Sequence, residues 1–309
     1  MTGIKDGVGW DVVGVGENSV DYVYRLPGPP AARGKMPVSS RRIMPGGQVA
    51  TTLCCCARLG LKSTYLGTFG SDENGRFIRS TLEAHGIDTT HARTRDVPNR
   101  YAVILLDERT GDRSVLWQRD PALALDPGDL PAVPIERARL VHVDAVDEEA
   151  AIAAARLARA AGAQVTTDID DVTGRTPELI AAATFPILAE HVPSQLTGEA
   201  DPERALRLLR RNHDGRLCVT LGERGALMLD GDRLHRAPAF RIDAVDTTGA
   251  GDVFRGALIY SLLRGDDAGT MLRFASAAAA ISCTREGAIG GIPTLDEIEA
   301  LATKTTKTD

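Results

Sequence analysis

Two aspartates bracket a glycine turn in DTTGAGDVF, residues 246–254, and an apolar run at helical spacing follows. A glycine-rich turn that opens a helix presents unpaired N–H groups and the positive end of the helix dipole, which attract an anion such as phosphate. Glycine lets the anion approach the backbone closely, because no Cβ intrudes. The exit carboxylate, Asp252, would repel a phosphate, so it makes sense only if a second group must lose a proton there. A hydroxyl hydrogen-bonded to Asp252 becomes a better nucleophile toward a γ-phosphorus. The amides of Gly249, Ala250 and Gly251 would meanwhile stabilise charge on the transferring group. The plainer alternative is an Asp that caps a helix behind a turn.

The elements around this motif alternate. AFRIDAV (239–245) has the period of a strand, which predicts a strand–turn–helix junction with Gly249 to Asp252 at the helix start. Short β-branched runs at WDVVGVG (10–16), STYLGTFG (63–70), LVHVDA (140–145), QVTTDI (164–169), TFPIL (184–188) and RLCVTLG (216–222) read as strands. Helical patterns fall between them at 46–60, 74–86, 147–162, 177–183 and 201–211, the first three closing on glycine. Such alternation implies an α/β fold with a mostly parallel sheet covered on both faces. Residues 18–45 and 97–119 differ, being rich in Pro, Arg and β signals and lacking a helix of their own. RYAVILLDERTGDRSVLWQ (100–118) reads as two strands around a TGD turn. Together these segments predict a small β lid within one domain spanning 1–309. The polar tail TKTTKTD (303–309) is expected to fray.

The bulk composition narrows the partners. The 309 residues carry a net charge of −6 with no basic block, which argues against duplex nucleic acid or an anionic membrane as the main partner. Neither a signal-peptide pattern nor an 18-residue apolar run occurs, so a cytoplasmic location is expected. Cys54, Cys55 and Cys56 are adjacent in a helical stretch, where side chains point apart, so they read as packed thiols. The six histidines lack metal-ligand spacing.

GGQVATTLCCCARLG followed by GTFGSDENGRFI, together with DTTGAGDVFRGAL, resembles the two signatures of the ribokinase-like (PfkB) carbohydrate kinases, in consistent order from about Trp10 to Leu301. The resemblance implies a ribokinase-like three-layer α/β/α sandwich with a β-sheet lid. It also implies transfer of the γ-phosphate of ATP, with Mg²⁺, to a hydroxyl of a small carbohydrate such as a ketose, a pentose or a sugar acid. Asp252 falls on the family's base, and Gly249, Ala250 and Gly251 on its anion hole. Asp21, the glycine pair Gly46 and Gly47, Thr51 and Asp144 fall on substrate positions. Thr220, Gly222, Gly225, Ser276 and Ala280 fall on nucleotide segments, to which Gly251 also belongs. Asp246, Thr248, Ser282, Arg285, Gly287 and Gly291 fall where relatives hold a monovalent cation such as K⁺. Relatives also form homodimers through the lid.

Two departures from the family pattern stand out. Thr51 replaces the usual asparagine of the first signature, and AEHVPSQLTG replaces an Asn-x-x-Glu element tied to Mg²⁺ and phosphate, leaving Ala189 and Val192 at those positions and Glu190 between them. Mg²⁺ would then be held mainly by ATP phosphates and water, with Glu190 either assisting through water or lying on the surface. Lys35, Arg41, Arg42 and Arg119 are either a positive lid face for an acidic sugar or ordinary solvated residues. A nucleoside kinase of the same scaffold remains the alternative, given Tyr22, Tyr24, Tyr101 and Trp117 near the lid, and a non-catalytic sugar-binding relative is a third reading. GVGENS (14–19) lacks the third glycine of a dinucleotide fingerprint, and no Walker A sequence occurs.

Overall fold

The structure, a computed structural model, describes residues 9–30, 33–110 and 113–304. The strands run β1 Val12–Val15, β2 Ser19–Leu26, β3 Ser40–Gly46, β4 Ser63–Leu66, β5 Thr68–Gly70, β6 Arg93–Arg95, β7 Tyr101–Asp107, β8 Arg113–Gln118, β9 Leu140–Asp144, β10 Gln164–Asp168, β11 Ile187–Leu188, β12 Leu217–Thr220, β13 Ala226–Asp230 and β14 Arg233–Ala237. The helices are α1 Gln48–Arg58, α2 Glu73–Ala84, α3 Ala132–Glu136, α4 Glu148–Ala160, α5 Thr176–Ala182, α6 Val192–Thr197, α7 Pro202–Leu209, α8 Ala250–Arg264, α9 Ala268–Cys283 and α10 Leu295–Ala302.

One sheet has the order β10-β9-β1-β4, all parallel, and its strands are almost wholly buried. Helices cover both faces, so its strands read as apolar runs rather than alternating ones. Parallel bridges Thr166–Phe185 and Ile169–Leu188 continue it into a second sheet, β11-β12-β13-β14. That extension turns antiparallel after β12, a hairpin meander that the mostly parallel expectation did not contain. One core lies between the sheets and α1, α2, α8, α9 and α10; the other packs α4, α5 and α7 on the opposite face. The result is the three-layer α/β/α sandwich.

A separate four-stranded sheet has the order β3-β2-β7-β8. Its β2 and β7 pair in parallel, while the outer strands are antiparallel. The TGD turn between β7 and β8 lies partly outside the described residues, as does the end of the polar tail.

The expected strand at 239–245 is absent. Ladder pairing ends at Ala237, Pro238 follows with no N–H to donate, and Arg241 to Val245 run exposed and unpaired to a neighbouring strand. The junction is therefore loop–turn–helix. α8 itself forms as expected: Val253, Phe254, Ala257, Leu258 and Ile259 are buried, and Gly265 closes it in the left-handed conformation. The burial of each large side chain contributes about 1.5–3 kcal/mol, which outweighs the glycines at its start.

Candidate active site

The parallel strands end toward one crevice, where open α/β sheets bind ligands. Glu17 follows β1, Asp144 closes β9, and Asp168 closes β10 in register beside it. α8 begins above these strand ends. Gly249 precedes it with φ +74°, and a Cβ there would meet Ala288 at 2.4 Å, so both conformation and space require glycine. Val253 donates to the Gly249 carbonyl at 2.9 Å and Ala250 to Thr247 at 3.3 Å, and no acceptor among the described residues meets the N–H of Gly251 or Asp252. These free donors suit an anion such as a nucleotide phosphate.

A cavity of about 190 Å³ lies in front of that turn. Asp252 and Gly249 line one side, and Asp21, Gly46, Gly47 and Gln48 another; Tyr101, Trp117, Gln118 and Arg119 come from the small sheet. Gly46 lets Asp21 in: a Cβ there would lie 2.5 Å from Oδ2. Val115 and Trp117 line the cavity yet stay 50% and 65% exposed, so it is open toward the small sheet.

The cavity is rich in acceptors. Gln48 Oε1 and Gln118 Oε1 are buried without a partner. Burial, with Glu17 and Asp246 nearby, pushes the Asp21 carboxyl up to about 7, against a smaller opposing pull from Arg113. Arg119 does not offer a free charge: its Nε donates to Glu17 at 2.8 Å, and its guanidinium stacks 4.9 Å from the Trp117 ring centre. Arg42 pairs with Glu286 and Arg41 lies over Tyr22. Glu17 is a site residue that the sequence reading missed; an acid straight after a buried strand and a glycine was the available signal.

Asp252 sits half-buried on the first turn of α8. Burial raises its carboxyl well above the usual range, the neighbouring Asp168 raises it further, and Arg255 opposes both. Thr52 donates to the Asp252 carbonyl at 3.2 Å and the Cys55 thiol to Val253 at 3.6 Å, so α1 braces the turn.

Other expected residues lie apart from the cavity. Asp144 is fully buried and turned back into the strand end, accepting from Glu17 N at 2.6 Å and Val146 N at 3.0 Å. Thr51 is fully buried and its hydroxyl has no partner. Thr220 ends β12, and Gly222 and Gly225 form the turn into β13; α9, which carries Ser276 and Ala280, packs against β13 and β14.

The Asp246 carboxylate takes N–H bonds from Thr248 and Gly287, both at 2.9 Å, tying two loops together. Carbonyls of Ser282 and Gly287 approach the Gly291 position, while the Arg285 side chain turns to Glu297 at 2.5 Å. Glu190 pairs with Arg224 at 2.5 Å.

This is an α/β sandwich with an anion-accepting helix start facing a polar, carboxylate-lined cavity, the class of protein that moves a phosphate onto a hydroxyl-bearing small molecule. The description "pfkB family carbohydrate kinase" matches residues 11–295, and the chain belongs to that family. It is 31% identical over 279 residues to the aminoimidazole riboside kinase of Salmonella typhimurium, covering 82% of this chain and 86% of that one. Fructokinase-2 of Zea mays is 29% identical over 325 residues, with 95% and 94% covered. A structure of Arabidopsis thaliana ribokinase complexed with ribose and ATP superposes with a TM-score of 0.85 at 22% identity, covering 96% of this chain and all of that one, which shows the shared fold.

Proposed function

We propose that the protein transfers the γ-phosphate of ATP to a hydroxyl of a small neutral sugar, with Asp252 as general base. The observation that carries this reading is the placement of Asp252 beside the free N–H groups of Gly251 and its own backbone, facing Asp21 across one cavity. The acceptor O–H would give its proton to Asp252 as its oxygen bonds to the γ-phosphorus and ADP leaves, while the free amides of Gly251 and Asp252 hold the charge of the transferring group. ATP would reach this turn from the Thr220–Gly225 loop and the α9 face bearing Ser276 and Ala280. When bound, Mg²⁺ would neutralise the phosphates through ATP oxygens and water, since Glu190 is already engaged by Arg224. Carbonyls around Ser282, Gly287 and Gly291 would suit K⁺, with Asp246, Thr248 and Arg285 shaping the loops.

A neutral sugar fits better than an acidic one, because the cavity faces its occupant with acceptors and its arginine is paired. Asp144 and Thr51 would act by shaping the wall. The β2-β3-β7-β8 sheet would serve as the lid, closing over the open side to exclude water. Its exposed Ile43 and Leu116 would suit a homodimer through the lid. Five unpaired cysteines agree with a cytoplasmic location. Tyr101 and Trp117 at the cavity favour one second reading, a nucleoside acceptor stacked on an aromatic ring.

The test is ADP release with Mg-ATP across free sugars, sugar acids and nucleosides. Turnover with a neutral sugar supports the proposal, and turnover confined to nucleosides favours the second reading. Ligand binding without phosphoryl transfer to any acceptor overturns both.

A further inference from the structure

Beneath the cavity floor lies a buried charged group that the proposed transfer does not itself require. Arg255, one turn after Asp252 on α8, points inward at 4% side-chain exposure, and Asp168 at the end of β10 has 1%. The guanidinium Nη2 lies 2.6 Å from Asp168 Oδ1, and Nη1 packs against Gly251. Both Asp168 oxygens are buried without a hydrogen-bond partner, and after burial itself Asp168 is the group that raises the Asp252 carboxyl most. Helix geometry puts residues 252 and 255 on one face, so the base, its acidic neighbour and the guanidinium form one connected set.

Resting on the base role assigned above, we propose that Asp168 and Arg255 are a positioning pair that orients the Asp252 carboxyl toward the acceptor hydroxyl and supplies its compensating charge. Neighbouring buried carboxylates ionise together only with a cation beside them. Arg255 is the buried cation in place, and its guanidinium stays protonated throughout the working pH range. Neither residue touches the cavity, so their action passes through Asp252.

The surrounding charges agree with that division. Asp170, just beyond β10, adds negative charge to both carboxyls, and Cys55 on α1 faces Asp252 with its thiol pushed up to about 12. Glu17 contributes to Asp168 from the β1 end, with Arg119 paired to it, and Asp21 faces Asp252 across the cavity. Behind Arg255, His142 is held neutral: burial and that guanidinium drive it down to about 3, and Cys218 is pushed up to about 12 by burial. Arg255 is therefore the one positive charge facing the dyad from below among the described residues.

The pH profile of kcat/KM reads the pair, because its acid limb reports ionisation of the free enzyme's base. Arg255→Met removes the charge that favours the carboxylate, so the limb moves up by on the order of one pH unit or more. Asp168→Asn removes the repelling acid and keeps an acceptor for the guanidinium, so the limb moves down. Arg255→Lys restores the charge and returns the limb toward its wild-type position. Limbs that superimpose in all three variants, whatever the fall in kcat, overturn the proposal and leave a structural ion pair.

Loss of one partner from a buried pair can unfold a chain. If Arg255→Met does not fold, Asp168→Asn alone decides, and an unmoved limb is then sufficient to overturn the pairing. Carboxyl titration by ¹³C NMR in aspartate-labelled protein separates this proposal from the function it rests on. If no acceptor is phosphorylated but the Asp252 resonance still shifts in opposite directions in the two variants, the base role falls and the electrostatic pairing stands.

Discussion

Arg25 on β2 and Glu286, 261 positions further along the chain, form an ion pair at 3.0 Å. Arg42 on β3 reaches the same carboxylate, and Arg113 on β8 donates to the Thr247 and Thr248 hydroxyls at 3.3 and 3.2 Å. Three arginines of the small sheet thus fasten it to the two loops that Asp246 ties together. Part-exposed pairs contribute at most about 1 kcal/mol each, so their effect falls on the sheet's placement rather than on global stability. Glu286→Ala should raise the KM for sugar several-fold, increasingly at low salt, with a melting temperature close to wild type. Steady-state kinetics at two ionic strengths, with a thermal melt, check this.

Asp252→Asn should stay folded and melt at or above the wild-type temperature at pH 8, because it removes one of two facing carboxyls. Its kcat should fall by about 10²–10⁴, the range for a general base. Sugar-dependent ADP release at the wild-type rate would remove Asp252 from its assigned role.

Asp21 gives a stability difference with a definite sign. Its carboxyl titrates near 7 in the folded chain against 3.8 when unperturbed. Protonation therefore favours the folded state, and stability is lost as pH rises from about 4 through 7. Asp21→Asn should be more stable than wild type above pH 7, by at most about 4 kcal/mol before discounting for partial exposure, and equal to it near pH 3.5. Melting curves across that range test the trend, and poorer sugar binding by the same variant tests the site.

Gly249→Ala places a Cβ against Ala288 in a left-handed backbone conformation. The conformational cost alone is about 1–2 kcal/mol. The variant should melt several degrees lower and lose turnover more than tenfold, since the turn must shift to relieve the contact. Gly265→Ala, also left-handed but with open space around it, should lose stability alone.

Periodicity and spacing made much of this molecule legible. The runs at Val12–Val15 and Leu140–Asp144 are short, apolar and bounded by turn residues, and they form parallel strands. The 246–254 motif was readable because glycine and carboxylate act locally, within one turn of helix. The loop at 239–245 was misread because alternation records side-chain type, whereas a strand also needs a neighbour to pair with. Arg255 escaped notice for a related reason. In VFRGALIYSLL it reads as an interruption of an apolar face, and only the three-dimensional end of β10 brings Asp168 to it. Asp144 shows the reverse case: an acid at a strand end reads as a ligand group, but the nearby Glu17 and Val146 amides claim both its oxygens.

The walls of the main cavity are contributed by residues as early as Glu17 and as late as Ala288. On the ribosome this cavity therefore has no complete wall until Ala288 has emerged. Until then α1 presents Thr52, Cys55 and Cys56 without the helix that later buries them. Translation that halts before α8 would leave that α1 face uncovered and the cavity without its turn, so competence to bind ligand there reports that synthesis passed α8.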